Sequence, residues 1–313
     1  MLKVGVVGVG GISAAHIDGW HKIEEAQITA MCDIRPERME PHPYARHYLS
    51  FDEMLEKEPL DVLDICLPTY LHVEFALKAL RKGINVLCEK PLSLDAADAK
   101  RVYDTAKENG VKFMVAQVVR FWPEYTVVKE LYDNGTYGRL LSGSMERLGA
   151  RPRWSWDGWM TDEKRSGLVP FDLHVHDLDF MVYAFGAPKK TACYRSKRDD
   201  QDYLNAVYTF DGFSITSEAA WYAPPMPFAA RFRFQFEDAV VVNEGGLKIY
   251  EKDGNVIDFA NDAGGDTGKI NLPKTGAYFE EIRYFTDCVL QDTAPDKIKP
   301  EELETVISIL KSM

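Results

Sequence analysis

Cysteine is scarce and unpatterned in this 313-residue chain: five residues, at positions 32, 66, 88, 193 and 288, an odd number with no Cys-x-x-Cys spacing. That excludes a disulfide framework and a zinc ribbon, and points to the reduced thiols of a cytoplasmic protein. Long apolar runs are also missing. Nothing approaches the ~20 residues of a membrane helix, and the apolar N-terminus has no extended signal-peptide core. Positive charge is in deficit, 37 Lys and Arg against 49 Asp and Glu for a net charge of -12, so neither a nucleic-acid nor a membrane partner is expected. There is no internal repeat and no low-complexity tract. The length accommodates two domains, each with its own core.

The first thirteen residues narrow the function most. Leu2 to Val7 is an apolar run of strand character that enters Gly8-Val9-Gly10-Gly11-Ile12-Ser13, a glycine turn leading into a helical pattern. A dinucleotide pyrophosphate fits such a turn. Gly8 permits the tight bend, Gly10 puts no Cβ between backbone and phosphate, and the N–H groups at Gly11 and Ile12 face the negative charge. Ser13 stands where a third glycine is often found, and its small side chain still allows close helix–strand packing. Gln27 to Cys32 is a second strand, and Asp33 follows directly. An acid there accepts hydrogen bonds from ribose hydroxyls and repels a 2'-phosphate, which favours NAD over NADP. Arg35 and Arg38 argue the other way, since a guanidinium can hold that phosphate. Asp33 as a simple helix cap is the bland alternative.

Strand and helix patterns alternate to about Gln117, with strands at 61–67, 84–88 and 111–116 and helices at 12–24, 70–81 and 95–109. This predicts a doubly wound parallel sheet over a first domain, 1–118. Pro36, Pro41 and Pro43 predict that the helix after the second strand is short or absent. Beyond about 139 the grammar changes to successive strands at 140–148, 191–196, 203–210, 214–221, 231–236, 239–242 and 247–250, with helices at 171–185, 277–290 and 301–311. That predicts an α+β second domain, 119–313, built on a largely antiparallel open sheet, with its last helix able to pack back on the first.

Polar groups concentrate where open parallel sheets bind ligands, at the carboxyl ends of strands. Leu67-Pro68-Thr69-Tyr70-Leu71-His72 is one such cluster. Cys88-Glu89-Lys90-Pro91 is another, and Pro91 biases Lys90 away from helical angles, fixing an ammonium at a strand end. In the second domain Asp172, His176 and Asp179 stand at i, i+4 and i+7 on one helix face, opposite Phe171, Val175, Leu178, Val182 and Phe185. A histidine flanked by carboxylates is a suitable proton acceptor. An exposed polar face is the alternative. A metal on His174 and His176 would require a strand to bring both to one side, so no metal is expected.

Taken together, the glycine turn at 8–13, Cys32-Asp33 with Arg38, Pro68 with His72, Glu89-Lys90-Pro91, Arg120-Phe121 with Pro123, Gly135 with Gly138, and the Asp172-x-x-x-His176-x-x-Asp179 helix resemble the Gfo/Idh/MocA oxidoreductases over nearly the whole chain. The resemblance implies a Rossmann domain, an α/β domain whose open sheet often forms the oligomer interface, and a hydride-transfer site between them. It implies that Lys90 lies beside nicotinamide and substrate, that His176 takes or returns the hydroxyl proton, and that Asp172 helps bind substrate. Glu89, Leu67, Pro68 and His72 join the coenzyme residues on the same basis. The chain departs from the family pattern at Ser166-Gly167-Leu168-Val169-Pro170, where two or more glycines are usual, at Gln117, and across the proline-interrupted 36–51.

The substrate pocket is expected to draw on Arg120, Trp122, Arg151, Arg153, Trp154, Trp156, Asp157 and Trp159: aromatic faces stack on sugar rings, while arginine and aspartate bond hydroxyls or a carboxylate. A hydrophobic plug is the alternative for the tryptophans. The reading that follows is an NAD-dependent dehydrogenase of a secondary hydroxyl on a sugar, sugar derivative or cyclitol. An NAD(P)-binding sugar sensor without turnover, an NAD-dependent glycosidase and a reductase of a conjugated or imine bond are its rivals. Phe210, Ile215, Trp221, Phe232, Phe234 and Phe236 are expected to divide between the two faces of the second sheet. The exposed part would then be covered in a homodimer or homotetramer.

Overall fold

The computed structural model describes residues 1–259 and 276–313, which divide into two compact units, 1–118 with 276–304 and 119–259 with 305–313. The first unit holds β1 (Leu2–Val7), α1 (Ser13–His21), β2 (Ala26–Cys32), β3 (Arg46–Tyr48), α2 (Phe51–Lys57), β4 (Val62–Ile65), α3 (His72–Leu80), β5 (Asn85–Glu89), α4 (Ala96–Glu108) and β6 (Phe113–Ala116). The strands run in the order β3-β2-β1-β4-β5-β6, every neighbouring pair parallel. This is the doubly wound sheet that alternation predicts. Strand order reverses between β1 and β4, which places the ligand crevice outside their carboxyl ends, at Gly8 and at Cys66 to Pro68.

Local chemistry accounts for the helix starts. Ser50 Oγ accepts from the Glu53 N–H to begin α2, and the Asp95 carboxylate accepts from the Ala97 N–H to begin α4. The proline-interrupted stretch forms a single 3₁₀ turn, Pro36–Arg38, in place of a helix. The strand β3 that follows carries no apolar alternation; it exists because Ala30 to Cys32 of β2 offer it a ladder.

In the second unit come α5 (Pro123–Asn134), β7 (Leu140–Ala150), α6 (Glu163–Ser166), α7 (Val175–Phe185), β8 (Lys190–Arg198), β9 (Gln201–Thr209), β10 (Ser214–Tyr222), β11 (Ala229–Phe236), β12 (Ala239–Asn243), β13 (Leu247–Glu251) and β14 (Val256–Phe259). They form an eight-stranded sheet in the order β14-β13-β12-β11-β7-β10-β9-β8, antiparallel except for the β7–β10 pair. The chain then continues into α8 (Ala277–Leu290) and α9 (Pro300–Lys311).

Helix α8 belongs with the first unit. A Cβ on Gly19 of α1 would lie 2.5 Å from Ile282 Cδ1, Arg283 pairs with Glu25 at 2.7 Å, and the Tyr103 hydroxyl donates to the Ile298 carbonyl. Residues 276–304 therefore group with the Rossmann sheet, whereas the sequence reading assigned everything beyond 118 to the second domain and let only its last helix return.

A second correction concerns the open sheet. Phe210, Ile215, Trp221, Phe232, Phe234 and Phe236 do not divide between two faces; all six are buried within the chain. Phe232, Phe234 and Phe236 are two residues apart and point the same way, against Tyr125 of α5 and Phe180 and Phe185 of α7. Register puts Ser144, Glu146, Thr216, Glu218, Arg231 and Arg233 on the opposite face, which is polar rather than apolar.

The core of this unit also holds a neutral histidine. His174 is fully buried, with Nε2 2.5 Å from the Tyr208 hydroxyl and Nδ1 3.4 Å from Ser217 Oγ. Burial, reinforced by the Arg147 charge, pushes its pKa down to about 3. The unfolded chain therefore binds a proton that the folded chain refuses, so stability is complete above the ordinary histidine value and is lost as pH falls from about 6.5 toward 3. Urea unfolding across this window is expected to show a slope reduced by up to one proton in His174→Gln. An unchanged slope would assign the acid sensitivity to other groups.

Candidate active site

Gly8 has φ +84°, and a Cβ on it would sit 2.7 Å from the Cys66 carbonyl oxygen, so the end of β1 admits only glycine. At Gly10 an added Cβ meets nothing within 4 Å. The backbone there borders space the protein does not fill, and Gly11 and Ile12 continue that half-buried rim. Ser13 is buried and donates to the Gly10 carbonyl, tying the turn to the first residue of α1.

Asp33 caps no helix. Its Oδ2 accepts from the Val9 N–H at 2.8 Å and its Oδ1 from the Arg35 N–H at 2.9 Å, so the carboxylate at the end of β2 holds the glycine turn across the switch point. Arg35 Nε is a longer 3.4 Å away. Arg38 Nε is buried without an acceptor among the described residues. Open backbone at Gly10, a carboxylate beside it and an unsatisfied guanidinium nitrogen fit the adenosine and pyrophosphate of a dinucleotide, with Leu67 and Pro68 half-buried at the crevice edge.

Two residues expected to touch the coenzyme turn inward. His72 is buried, with Nδ1 2.8 Å from the Pro91 carbonyl oxygen and Nε2 2.7 Å from that of Leu67, and burial lowers its pKa. It braces two loops. Glu89 is buried as well, one oxygen against His16 and the other accepting from the Lys90 N–H. Lys90, the next residue, is half-buried at the carboxyl end of β5.

In the second unit the helical segment that carries Asp172 and His176 departs from a simple 3.6-residue face. Pro170–His174 form a π turn before α7 begins, so Asp172 and His176 are separated by a wider turn than i, i+4 implies. Asp172 and His176 are half-buried, while Asp179 is fully buried. The expected common face breaks because Asp179 is drawn into a bidentate pair with Arg120, Nε to Oδ2 at 2.8 Å and Nη2 to Oδ1 at 2.7 Å. Arg120 is therefore a buried brace, not an open pocket group. Trp122 is equally buried, edge-on to Tyr125.

Two residues before Asp179, Asp177 is paired with Arg147 of β7 at 2.7 Å, and the same Arg147 Nη2 donates to the Tyr125 hydroxyl. Burial pushes the Asp177 carboxyl up and Arg147 opposes it. Removing either partner of such a pair costs about 3–5 kcal/mol. Sequence reasoning missed Arg147, and missed His16 and Asp64 in the first unit. The available signal was a lone carboxylate, Asp64, in the otherwise apolar strand Val62-Leu63-Asp64-Ile65.

The tryptophan segment does not form a plug. Trp154 is 64% and Trp156 41% exposed, Trp159 is half-buried, and Arg153 and Asp157 are exposed. Asp157 adopts φ +51°, a left-handed residue held by Arg165 through both its carboxylate and its carbonyl. Arg151 donates to the Asp199 carbonyl. Where the family usually has glycines, Gly167 has φ +73° and Leu168 has φ +58°. The backbone keeps its left-handed course through a leucine, at a cost of about 1–2 kcal/mol. Leu168 is buried and lines an open cleft of about 260 Å³ with Arg151, Thr161, Lys197, Arg198 and Trp221.

Residues 2–117 match the oxidoreductase family with an NAD-binding Rossmann fold, and residues 125–242 match the GFO/IDH/MocA C-terminal domain. The chain belongs to the Gfo/Idh/MocA oxidoreductases. It is similar to glucose-6-phosphate 3-dehydrogenase of Bacillus subtilis, 28% identical over 204 residues that make up 63% of this chain and 57% of that protein. It is also similar to 2,7-anhydro-N-acetylneuraminate hydratase of Escherichia coli, 28% identical over 192 residues, 61% of this chain and 51% of that one. The chain thus spans about half the length of these curated relatives. Among solved structures, levoglucosan dehydrogenase in complex with NADH superposes with a TM-score of 0.85 at 18% identity, over 99% of this chain and 95% of that one, a likeness of fold. No helix among the described residues is long and apolar enough to cross a membrane.

The position of Asp33 leads to a coenzyme prediction. NAD(H) is expected to bind more tightly than NADP(H), and Asp33→Ser to narrow the difference while loosening the Val9 turn. Titration of both coenzymes by fluorescence checks this. Equal or tighter NADP(H) binding by the unmutated protein would show that Arg35 or Arg38 dominates the site.

Proposed function

We propose that this protein is an NAD-dependent dehydrogenase that oxidises a secondary hydroxyl of a sugar, sugar derivative or cyclitol, or reduces the corresponding ketone. The observation that carries the reading is the contrast between His176 and the three buried histidines. His16, His72 and His174 are buried and held to carboxylates, carbonyls or a phenol, while His176 lies half-buried in the first turn of a helix whose rotation two ion pairs fix. A rigid, accessible imidazole is what proton transfer to and from a substrate hydroxyl requires.

NAD, when bound at Gly8, Gly10 and Asp33, supplies the hydride acceptor. His176 takes the hydroxyl proton as the carbonyl forms, and returns it in the reverse direction. Lys90 orients the reacting oxygen and stabilises negative charge on it. Asp172 receives a neighbouring hydroxyl. Trp154, Trp156 and Trp159 offer ring faces to the apolar side of the sugar, and Arg151 offers a cation to a polar substituent. Phosphate, carboxylate and neutral sugars are all compatible with this set, so the substrate is proposed only as a class. A second reading is supported by the relative named a hydratase: the same groups can oxidise, eliminate or hydrate, and re-reduce without net redox change.

Replacing Lys90 or His176 by alanine is expected to lower turnover by about two orders of magnitude or more while NAD affinity changes far less, the larger affinity loss falling on Lys90. Initial rates on a panel of sugars and inositols, with NADH read by absorbance and products by mass spectrometry, test both readings. Near-normal turnover in both variants would overturn the catalytic assignment. Product formation without NADH would select the redox-neutral reaction, and joint binding of NAD and sugar without any product would select a sensor.

The open face of the second sheet supports a homodimer or homotetramer. Its covering groups are largely polar, with Glu146 and Arg231 directly opposed in register and Tyr203 and Tyr222 beside the apolar Val207. Such a surface suits a hydrogen-bonded, charge-paired contact between copies of itself. Light scattering at micromolar concentration is expected to give at least twice the monomer mass, and a monomer would refute it.

A further inference from the structure

His16, on α1, lies entirely inside the first unit, and both of its ring nitrogens face carboxylates. Nδ1 is 3.0 and 3.1 Å from the two oxygens of Asp64, and Nε2 is 2.9 Å from Glu89 Oε1. A neutral imidazole has one N–H, so it would turn a lone pair toward one of these anions with no water to intervene. Only the imidazolium donates to both. The surrounding groups complete the arrangement: the Trp20 indole N–H donates to Asp64 Oδ2 at 2.7 Å, and the Cys66 thiol to Oδ1. Tyr278 of α8 packs against the ring at 5.8 Å between centroids, with Glu281 beyond it and Cys88 on the next strand. Burial works against the charged ring, but Asp64 and Cys66 outweigh it and raise the His16 pKa well above the ordinary value.

The far end of this chain of contacts is the main chain of Lys90. Glu89 Oε2 accepts the Lys90 N–H at 3.0 Å, and His72 holds the Pro91 carbonyl immediately after it. We propose that His16 is a permanently protonated clamp between Asp64 and Glu89 that fixes the Glu89 carboxylate under the Lys90 backbone, making His16 and Asp64 positioning residues for the Lys90 ammonium. Without the imidazolium, two buried carboxylates would confront each other across β4 and β5, and Glu89 would have no partner to hold its second oxygen in place. The catalytic part of this inference rests on the role proposed above for Lys90; the clamp itself does not.

Ligand-free protein labelled with ¹⁵N-histidine tests the clamp first. His16, assigned by comparison with His16→Gln, is expected to show two protonated ring nitrogens from about pH 6 to 9, where an ordinary histidine titrates away. A neutral pattern within that range would overturn the proposal. Amide exchange at Lys90 is the second readout: its protection is expected to fall about tenfold or more in Glu89→Gln, which turns an NH₂ toward the same N–H, and by a smaller factor in Asp64→Asn. With a substrate in hand, both variants are expected to lose about tenfold in kcat with the KM for NAD within about threefold. Asp64→Asn touches neither Lys90 nor the coenzyme turn, so it remains informative if Glu89→Gln fails to fold. Unchanged exchange and unchanged kcat in Asp64→Asn would leave the ring's charge without a positioning role and refute the proposal. If the intact protein oxidises no polyol, the dehydrogenase reading fails while the NMR and exchange results still decide the clamp.

Discussion

A carboxylate removed from water must keep its lone pairs occupied, and the site of this protein is organised by that requirement. Helix α7 carries two such groups on successive odd positions. Asp177 takes Arg147 from the sheet, and Asp179 takes Arg120 from the segment before α5. Two ion pairs pointing in different directions leave the helix no freedom to rotate about its axis. His176, in the first turn, inherits that rigidity, and Asp172 stands in the π turn continuous with it. The apolar contacts of Phe180 and Phe185 could be satisfied by several small rotations, whereas a bidentate guanidinium pair is satisfied by very few.

The Rossmann unit uses the same rule with different chemistry. Asp33 commits part of its hydrogen-bonding capacity to the Val9 N–H, so the acid at the end of β2 also shapes the glycine turn after β1. Glu89 and Asp64 share one histidine between them. Asp33 and Glu89 read as ligand contacts in the sequence and carry structural hydrogen bonds in the fold, while Asp64, which no motif marks, is their buried counterpart beneath the sheet's carboxyl edge. Lys90 is the residue that follows Glu89 at the end of β5.

The left-handed segment 167–168 shows how sequence and backbone separate. Gly167 is obligatory, since a Cβ there would lie 2.4 Å from the Phe171 ring. Leu168 keeps the next left-handed conformation despite its side chain, and its burial in the cleft wall offsets the strain. Two consecutive left-handed residues thus set the turn, and the second of them lines the cleft.

Much of the architecture was legible from periodicity. The alternation to residue 117, the change to successive strands after 139, and the glycine turn with Asp33 are all local patterns, and local hydrogen bonding or side-chain spacing is sufficient to produce them. The short strand β3 and the helix α2 were not legible, because the first has no apolar alternation and draws its stability from the edge of β2. Nor was the return of α8 to the first unit, which depends on Gly19 meeting Ile282 across 263 residues of chain. The inward turn of Arg120, Trp122, His72 and Glu89 was decided only by tertiary structure. A polar residue in a motif reads the same whether it faces a ligand or a buried partner, and which of the two it meets depends on groups such as Asp179 and His16 that are distant in sequence. The sequence by itself determined which chemical groups stand at the strand ends and in the helix; the fold alone determined which of them are consumed in holding the others still.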